Sequence, residues 1–331
     1  QEFTVLDSFV LDDFEQGISA ITAGFKSDES IDYFVVGTAY ALEDEPEPSR
    51  GRILVFNVAA QTGPGGESRP GRLELIAQVD TPGAVYSLNC FNGLLLAGVN
   101  SKIQLYEWSV TGSTNIGTRE LKSKCGLHGH ILALHVTTRG DYIVVGDLMK
   151  SVSLCVYKPL EGVIEEVARD FNANWMTAVG FVDDEAFIGA EHAYNLFMAR
   201  RNITAKTEEE RSRLEITGEF HLGEFVNCFR SGSLVMQPTE TAPSLPSASA
   251  PALDAGAKPE SGGDLSVIQS MANLRSSMLL GTVLGSIGTL TTLNKAQYDL
   301  LLRLQNGIDR CIGGIGGFSH SQWRAFCNER Y

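Results

Sequence analysis

Leu94-Leu95-Leu96-Ala97-Gly98-Val99-Asn100-Ser101-Lys102-Ile103-Gln104-Leu105-Tyr106-Glu107-Trp108 is the stretch that decides the fold. An apolar run reaches a glycine, the chain turns, and a second segment follows in which alternate side chains point to the same face. The same pattern returns at Tyr33-Phe34-Val35-Val36-Gly37, Tyr142-Ile143-Val144-Val145-Gly146, Ala186-Phe187-Ile188-Gly189 and Met278-Leu279-Leu280-Gly281. The glycines stand 61, 48, 43 and 92 residues apart. The last interval equals two ordinary ones, so the period is about 45 residues.

Each copy has an apolar segment ahead of it, such as Ala84 to Phe91, His130 to Thr137 or Trp175 to Val182. Polar segments such as Arg72 to Val79 and Val163 to Arg169 supply an outer strand. Four strands per period is the arithmetic of a β-propeller blade, whose inner strands are covered on both faces and whose outer strand is half-wet. An immunoglobulin-like sandwich has similar strand spacing without that superperiod. The expected fold class is therefore all-β, a propeller followed by a short α-helical region. Four full blades, three strands of a fifth and an isolated outer strand at Thr4 to Val10 are expected, an open arc from a larger ring.

Two segments depart from the period. Residues 237 to 264 hold Pro238, Pro243, Pro246, Pro251 and Pro259 among Ser, Ala, Thr and Gly, which predicts a disordered loop over about 237–277. From Asn294 the spacing becomes helical, with Leu301, Leu304, Ile308 and Cys311 on one stripe, and Ser319 is placed to cap a second helix. The expected domains are propeller blades over 1–293 and the start of a helical domain over 294–331. Thr207 to Leu214 predicts a short helix on a loop.

Composition limits the function. The chain has 331 residues, 43% hydrophobic, with 34 glycines and a net charge of −14. Such an acidic chain does not attract nucleic acid or an anionic membrane without sequence-specific help. Its first fifty residues hold twelve Asp or Glu against Lys26 and Arg50. Six cysteines lack C-x-x-C spacing and are expected as reduced core thiols. No secretory signal opens the sequence and no apolar run of about 18 residues could cross a bilayer, so a soluble intracellular protein is expected.

Catalytic chemistry finds little support. The segments Ala84-Val85-Tyr86-Ser87-Leu88, Ile131-Leu132-Ala133-Leu134 and Phe225-Val226-Asn227-Cys228-Phe229 would line the propeller axis and bring no converging acids or metal ligands. His128 and His130 form an H-x-H pair without a third ligand nearby, and Asp183-Asp184 reads as a turn. Gly313 to Gly317 follows a helix, the wrong context for a phosphate cradle. Neither a cofactor nor a metal is expected. The large side chains near strand ends, Tyr86, Trp175, Phe225 and Phe229 with Asn227, suit either core packing or an interface.

Several runs carry a family resemblance: Gly83-Ala84-Val85-Tyr86-Ser87, Leu105-Tyr106-Glu107-Trp108, Val145-Gly146-Asp147-Leu148-Met149, Ala168-Arg169-Asp170-Phe171-Asn172 and Asn174-Trp175-Met176. Phe220-His221-Leu222-Gly223-Glu224-Phe225-Val226-Asn227 and Gly232-Ser233-Leu234-Val235-Met236-Gln237 complete the set. On these the chain resembles the damaged-DNA-binding protein 1 family of ubiquitin-ligase adaptors, which shares its architecture with splicing and polyadenylation subunits. The resemblance implies a portion of the third seven-bladed propeller and the first helices after it. It further implies a non-catalytic scaffold, with WD40-type substrate receptors held in a cleft between propellers and a cullin-4 scaffold bound through a propeller absent from this chain. Damaged DNA would be reached only indirectly, through a receptor, in nucleus and cytoplasm. The alternatives are an RNA-processing scaffold of the same architecture or a propeller hydrolase.

Carried over by position, the receptor-binding residues implied are Ala39, Pro46, Ala84, Tyr86, Ser87, Leu134, Leu148, Lys150, Trp175, Phe225, Asn227 and Val283. Pro46 replaces an Ala usual in animal members, His135 a Tyr and Lys150 an Arg. Lys offers a point charge where Arg offers a bidentate fork.

Overall fold

The computed structural model describes residues 4–62, 68–111, 118–232 and 277–326. Five antiparallel sheets succeed one another along the chain, each a simple up-and-down meander, and they are blades of a β-propeller. Blade 1 consists of β1 (Glu15–Phe25), β2 (Asp28–Tyr40), β3 (Gly51–Thr62) and β4 (Ser68–Thr81). Blade 2 consists of β5 (Val85–Phe91), β6 (Leu94–Val99), β7 (Lys102–Thr111) and β8 (Thr118–His128). Blade 3 is β9 (Ala133–Arg139), β10 (Tyr142–Asp147), β11 (Val152–Lys158) and β12 (Val163–Arg169). Blade 4 is β13 (Met176–Phe181), β14 (Ala186–Glu191), β15 (Asn195–Arg201) and β16 (Leu214–His221), with α1 (Glu208–Arg211) on its last connection. Blade 5 shows β17 (Val226–Ser231), β18 (Ser277–Thr282) and β19 (Ile287–Thr291) among the described residues. Then come α2 (Lys295–Cys311) and α3 (His320–Arg324).

The first strands adjoin in succession, β1 beside β5, β5 beside β9, β9 beside β13. This close approach explains the glycine that ends the apolar run in blades 1, 2 and 3. A Cβ on Gly37 would lie 2.5 Å from the Val85 side chain, and one on Gly98 2.5 Å from the Ala133 carbonyl oxygen. The next blade occupies that space.

The apolar core lies between blades. Between blades 1 and 2, Trp108 stacks on Phe25 at 4.9 Å and tilts against Tyr33 at 5.1 Å, among Val35, Val55 and Leu95. Leu96, Ile103, Val136 and Ile143 fill the next layer, and Leu154, Val179, Phe187 and Phe197 the one between blades 3 and 4. Each such side chain contributes about 2 kcal/mol by leaving water.

Some expectations change. Thr4 to Val10 forms no strand. The Leu73 N–H donates to the Asp7 carboxylate at 2.9 Å and Phe9 packs edge-on against Phe56 at 5.0 Å, so side chains rather than a ladder hold this segment. Among the cysteines Cys155 is buried, Cys90, Cys125 and Cys228 are partly buried, and Cys311 is exposed, so the core-thiol expectation fails at Cys311. The proline-rich segment lies outside the described residues.

The described chain divides into two compact units, one through Asn227 and one from Cys228 to Phe326. In the second, Asn294 and Gln297 form a capping box that starts α2, and Ser319 caps α3 as its residue type predicts. Ile308, Ile312, Ile315, Phe318 and Trp323 line a groove of ≈ 750 Å³ between these helices. No helix among the described residues is long and apolar enough to cross a membrane.

Candidate functional site

A meander brings the start of its first strand, the hairpin joining its second and third strands, and the end of its fourth to one end. Because neighbouring first strands of blades 1 to 4 run start beside start, these four blades offer these segments as repeated parts. Two local devices shape them.

The first device is a β-bulge. Val85 and Ser87 face Val99 and Gly98, leaving Tyr86 as the extra residue. His135 and Ala133 face Gly146 and Asp147, leaving Leu134 extra. Ile18 and Thr177 hold the equivalent positions in β1 and β13. A bulge frees one residue from cross-strand pairing and re-aims it.

The second device is a left-handed residue in the hairpin between second and third strands. Asn100 has φ 45, Ser151 φ 58 and Tyr194 φ 67. Asn favours this region because its short amide bonds locally. Asn100 Oδ1 accepts the Ala84 N–H at 2.7 Å and its amide donates to the Pro48 carbonyl at 2.9 Å, tying the β2–β3 loop to blade 2. Its carbonyl accepts the Ala133 N–H at 2.8 Å, reaching blade 3.

Buried polar groups fix the hairpins from beneath. The Asp147 carboxylate accepts N–H groups from Ile131 (2.6 Å), Met149 (2.9 Å) and Lys150 (2.9 Å). In blade 4 the Asn195 amide donates to Glu191 at 2.5 Å and its oxygen meets His221 Nδ1 at 2.7 Å, all three residues being buried. In blade 1 Arg52 pairs with Glu15, and the Thr38 hydroxyl donates to the same carboxylate at 2.6 Å. Burial acts to raise the Glu15 pKa, but the bonds from Arg52 and Thr38 outweigh it and hold the carboxyl below its ordinary value.

The implied receptor-binding residues divide by exposure. Pro46, Lys150, Trp175 and Asn227 are exposed, while Tyr86, Ser87, Leu134, Leu148 and Phe225 are partly so. All nine belong to the strand-start and hairpin end of their blades. Ala39 and Ala84 are enclosed, with 2% and 0% exposure, and offer no side chain to a partner. Val283 occupies the corresponding hairpin of blade 5, in the second unit, and is exposed. Lys150 directs its ammonium to the Gly129 carbonyl at 2.6 Å.

Two further residues belong with this set. His192 lies against Trp175 with ring centroids 5.2 Å apart, and Tyr194 meets Phe225 edge-on at 6.3 Å. The His192 N–H donates to the Trp175 carbonyl at 3.0 Å, and the Tyr194 carbonyl accepts from Leu222 and Gly223 at 3.0 and 3.2 Å. The result is an aromatic ledge on blade 4, with Trp175 47% and Tyr194 48% exposed. The Tyr86 pKa is raised by burial and, secondarily, by the Glu47 carboxylate. Burial pushes the His135 imidazole down to about 4, keeping it neutral.

The residues weighed for chemistry stand apart. His128 is exposed on β8 while His130 is buried 3.7 Å from Asp147. Asp183 makes a turn by accepting N–H groups of Glu185 and Ala186, and Asp184 pairs with Arg139 at 2.6 Å.

The family described as the CPSF A subunit region matches residues 1–331. The chain is 48% identical over 331 residues to DNA damage-binding protein 1a of Arabidopsis thaliana, and 48% identical over 330 residues to DNA damage-binding protein 1 of Solanum lycopersicum. It is also 48% identical over 331 residues to DNA damage-binding protein 1 of Oryza sativa subsp. japonica. Each likeness covers 100% of this chain and 26% of the relative, so the chain spans about a quarter of the curated relatives' length. With four successive four-stranded blades of one plan and a family match along its whole length, the chain belongs to the CPSF A subunit region family and within it resembles the DNA damage-binding protein 1 members.

Proposed function

We propose that this chain is a non-catalytic docking portion of a scaffold that holds WD40-type substrate receptors for a cullin-4 ubiquitin ligase in nucleus and cytoplasm. Residues 1–293 would belong to a seven-bladed third propeller and 294–331 would open the helical domain. The carrying observation is the gathering of partly exposed Tyr86, Leu134, Leu148 and Phe225 at one end of successive blades, beside exposed Trp175 and Asn227. Aromatic and aliphatic side chains with an amide suit an interface hot spot. The cullin would bind elsewhere in the full-length protein, and damaged DNA would be reached through a receptor.

The test uses the full-length protein carrying Asn227→Ala with Lys150→Glu. Both side chains are exposed, so thermal stability and cullin recovery should match wild type, while WD40 receptor recovery falls severalfold. Unchanged receptor recovery would overturn the assignment. Truncating Trp175 is a second probe, because its half-exposed ring rests on His192 rather than in a core layer. The family's description favours one other reading, an RNA-processing scaffold, and recovery of polyadenylation or splicing factors in place of cullin would support it.

A further inference from the structure

Charge is unevenly placed around the docking end. The β2–β3 loop carries Glu43, Asp44, Glu45 and Glu47, with no Lys or Arg between Ala41 and Ser49. The next cation, Arg50, lies over the Tyr40 ring at 4.6 Å. Among the described residues the ion pairs leave out all four of these carboxylates.

The loop is nonetheless held. The Ser49 N–H and hydroxyl donate to Glu45 at 3.0 and 2.9 Å, and the Pro48 carbonyl accepts from Asn100. Glu47 is near enough to act on the Tyr86 hydroxyl. A fastened loop with uncompensated acid therefore lies beside Tyr86, at the same strand-start and hairpin end of the blades as the half-open Trp175 and Tyr194 rings. An aromatic face attracts a cation, and unpaired carboxylates steer one in from a distance. An acidic segment would meet like charge there.

We propose that this surface takes a partner segment whose apolar side chains seat on Tyr86, Trp175, Tyr194 and Phe225 and whose arginine or lysine side chains pair with the β2–β3 carboxylates. The proposal rests on the docking role above and adds the chemistry of the occupant and a role for Tyr194. The acidic loop sets selectivity and arrival rate, while the ledge supplies contact area.

Two synthetic peptides with one Leu- and Trp-containing apolar pattern, one bearing Arg and the other Glu at the remaining positions, are titrated into the full-length protein and followed by fluorescence anisotropy. The Arg peptide should bind at least about tenfold more tightly, and raising salt should shrink that advantage. The exchange Glu43→Gln, Asp44→Gln and Glu47→Gln should erase most of it, and Tyr194→Ala should weaken the Arg peptide severalfold without changing its salt dependence. Thermal melting of each variant reports folding; the Gln exchanges are made on exposed side chains and should melt as wild type. Equal binding of the two peptides, no binding of either, or a preference that survives the Gln exchanges overturns the proposal. Receptor recovery by the wild-type protein separates the two claims. If receptors bind and the peptides do not discriminate, only the charge assignment fails; if receptors do not bind, the docking role itself fails.

Discussion

In blade 3 the β10–β11 hairpin turns through Ser151, and in blade 4 the β14–β15 hairpin turns through Tyr194. Both are left-handed, at φ 58 and 67. Ser151 is fully enclosed and its hydroxyl donates to Asp170 at 2.7 Å. Tyr194 stands half in solvent beside Phe225. A non-glycine residue in this region costs about 1 kcal/mol or more, and the surroundings must offset it. Blade 3 offsets it with polar bonds to the turn residue itself. Blade 4 does so around the residue, through two N–H groups on its carbonyl, and leaves the ring free. The same backbone turn can thus serve as a lock or as a presented contact, depending on the side chain at one position.

The largest test removes the blade 3 lock. Asp147→Ala strips the acceptor from three backbone N–H groups and should destabilise blade 3 by about 3 kcal/mol, read as faster hydrogen exchange at Ile131, Met149 and Lys150. Tyr194→Ala should cost under about 1 kcal/mol. Equal costs would erase the distinction between the hairpins.

Acid sharpens it next. His135 lies opposite Gly146 in blade 3, where blade 4 has Ala178 opposite Ala190 beside the equivalent bulge. Its folded value of about 4 lies below that of a free histidine near 6.5, so as pH falls through that window the unfolded chain takes up the proton first. Stability present above about pH 6.5 should therefore decline by roughly 2 kcal/mol by pH 4, allowing for partial exposure. His135→Gln should flatten the decline in melting temperature between these pH values; an unchanged slope would place the acid sensitivity elsewhere.

The smallest effect separates surface from lock. Tyr194→Gly should change stability by no more than about 0.5 kcal/mol, since relief of the left-handed backbone balances the added freedom of the unfolded chain. Receptor recovery should nevertheless fall. Ser151→Gly should lose about 1 kcal/mol with its hydroxyl bond and leave receptor recovery alone. Calorimetry beside a pulldown reads both variants.

The blades were legible because their signals are local: alternation over a few residues and a glycine at the end of the apolar run, where in blades 1 to 3 the next blade crowds the chain. Thr4 to Val10 has similar apolar content, but a strand exists only with a ladder partner, and the Asp7 side chain takes the N–H that a ladder would have used. Of the surface, Tyr86, Trp175, Phe225 and Asn227 were legible through family motifs. Ala39 and Ala84 carried the same motif weight and are buried, because a motif does not report exposure. Asn100 left a trace, being a turn-tolerant residue after an apolar run. Tyr194 left none, since nothing in its residue type announces a left-handed backbone, and His192 entered only through its contact with Trp175. The α2 stripe was read correctly as helical, but periodicity did not say that Leu301, Leu304 and Ile308 would remain in solvent.

The bulges at Ile18, Tyr86 and Leu134 have a consequence for how such a rim diverges. An unpaired extra residue has no cross-strand neighbour whose shape it must match, so its side chain can be exchanged while the flanking ladder keeps its register. The three positions hold a β-branched aliphatic, a phenol and a branched aliphatic on equivalent backbone, whereas Thr177 is buried and donates its hydroxyl to the Val226 carbonyl at 2.6 Å. The three are separate sockets rather than one carved pocket. If the proposed docking role holds, partner choice can drift one socket at a time, with the packed layers between blades as bystanders.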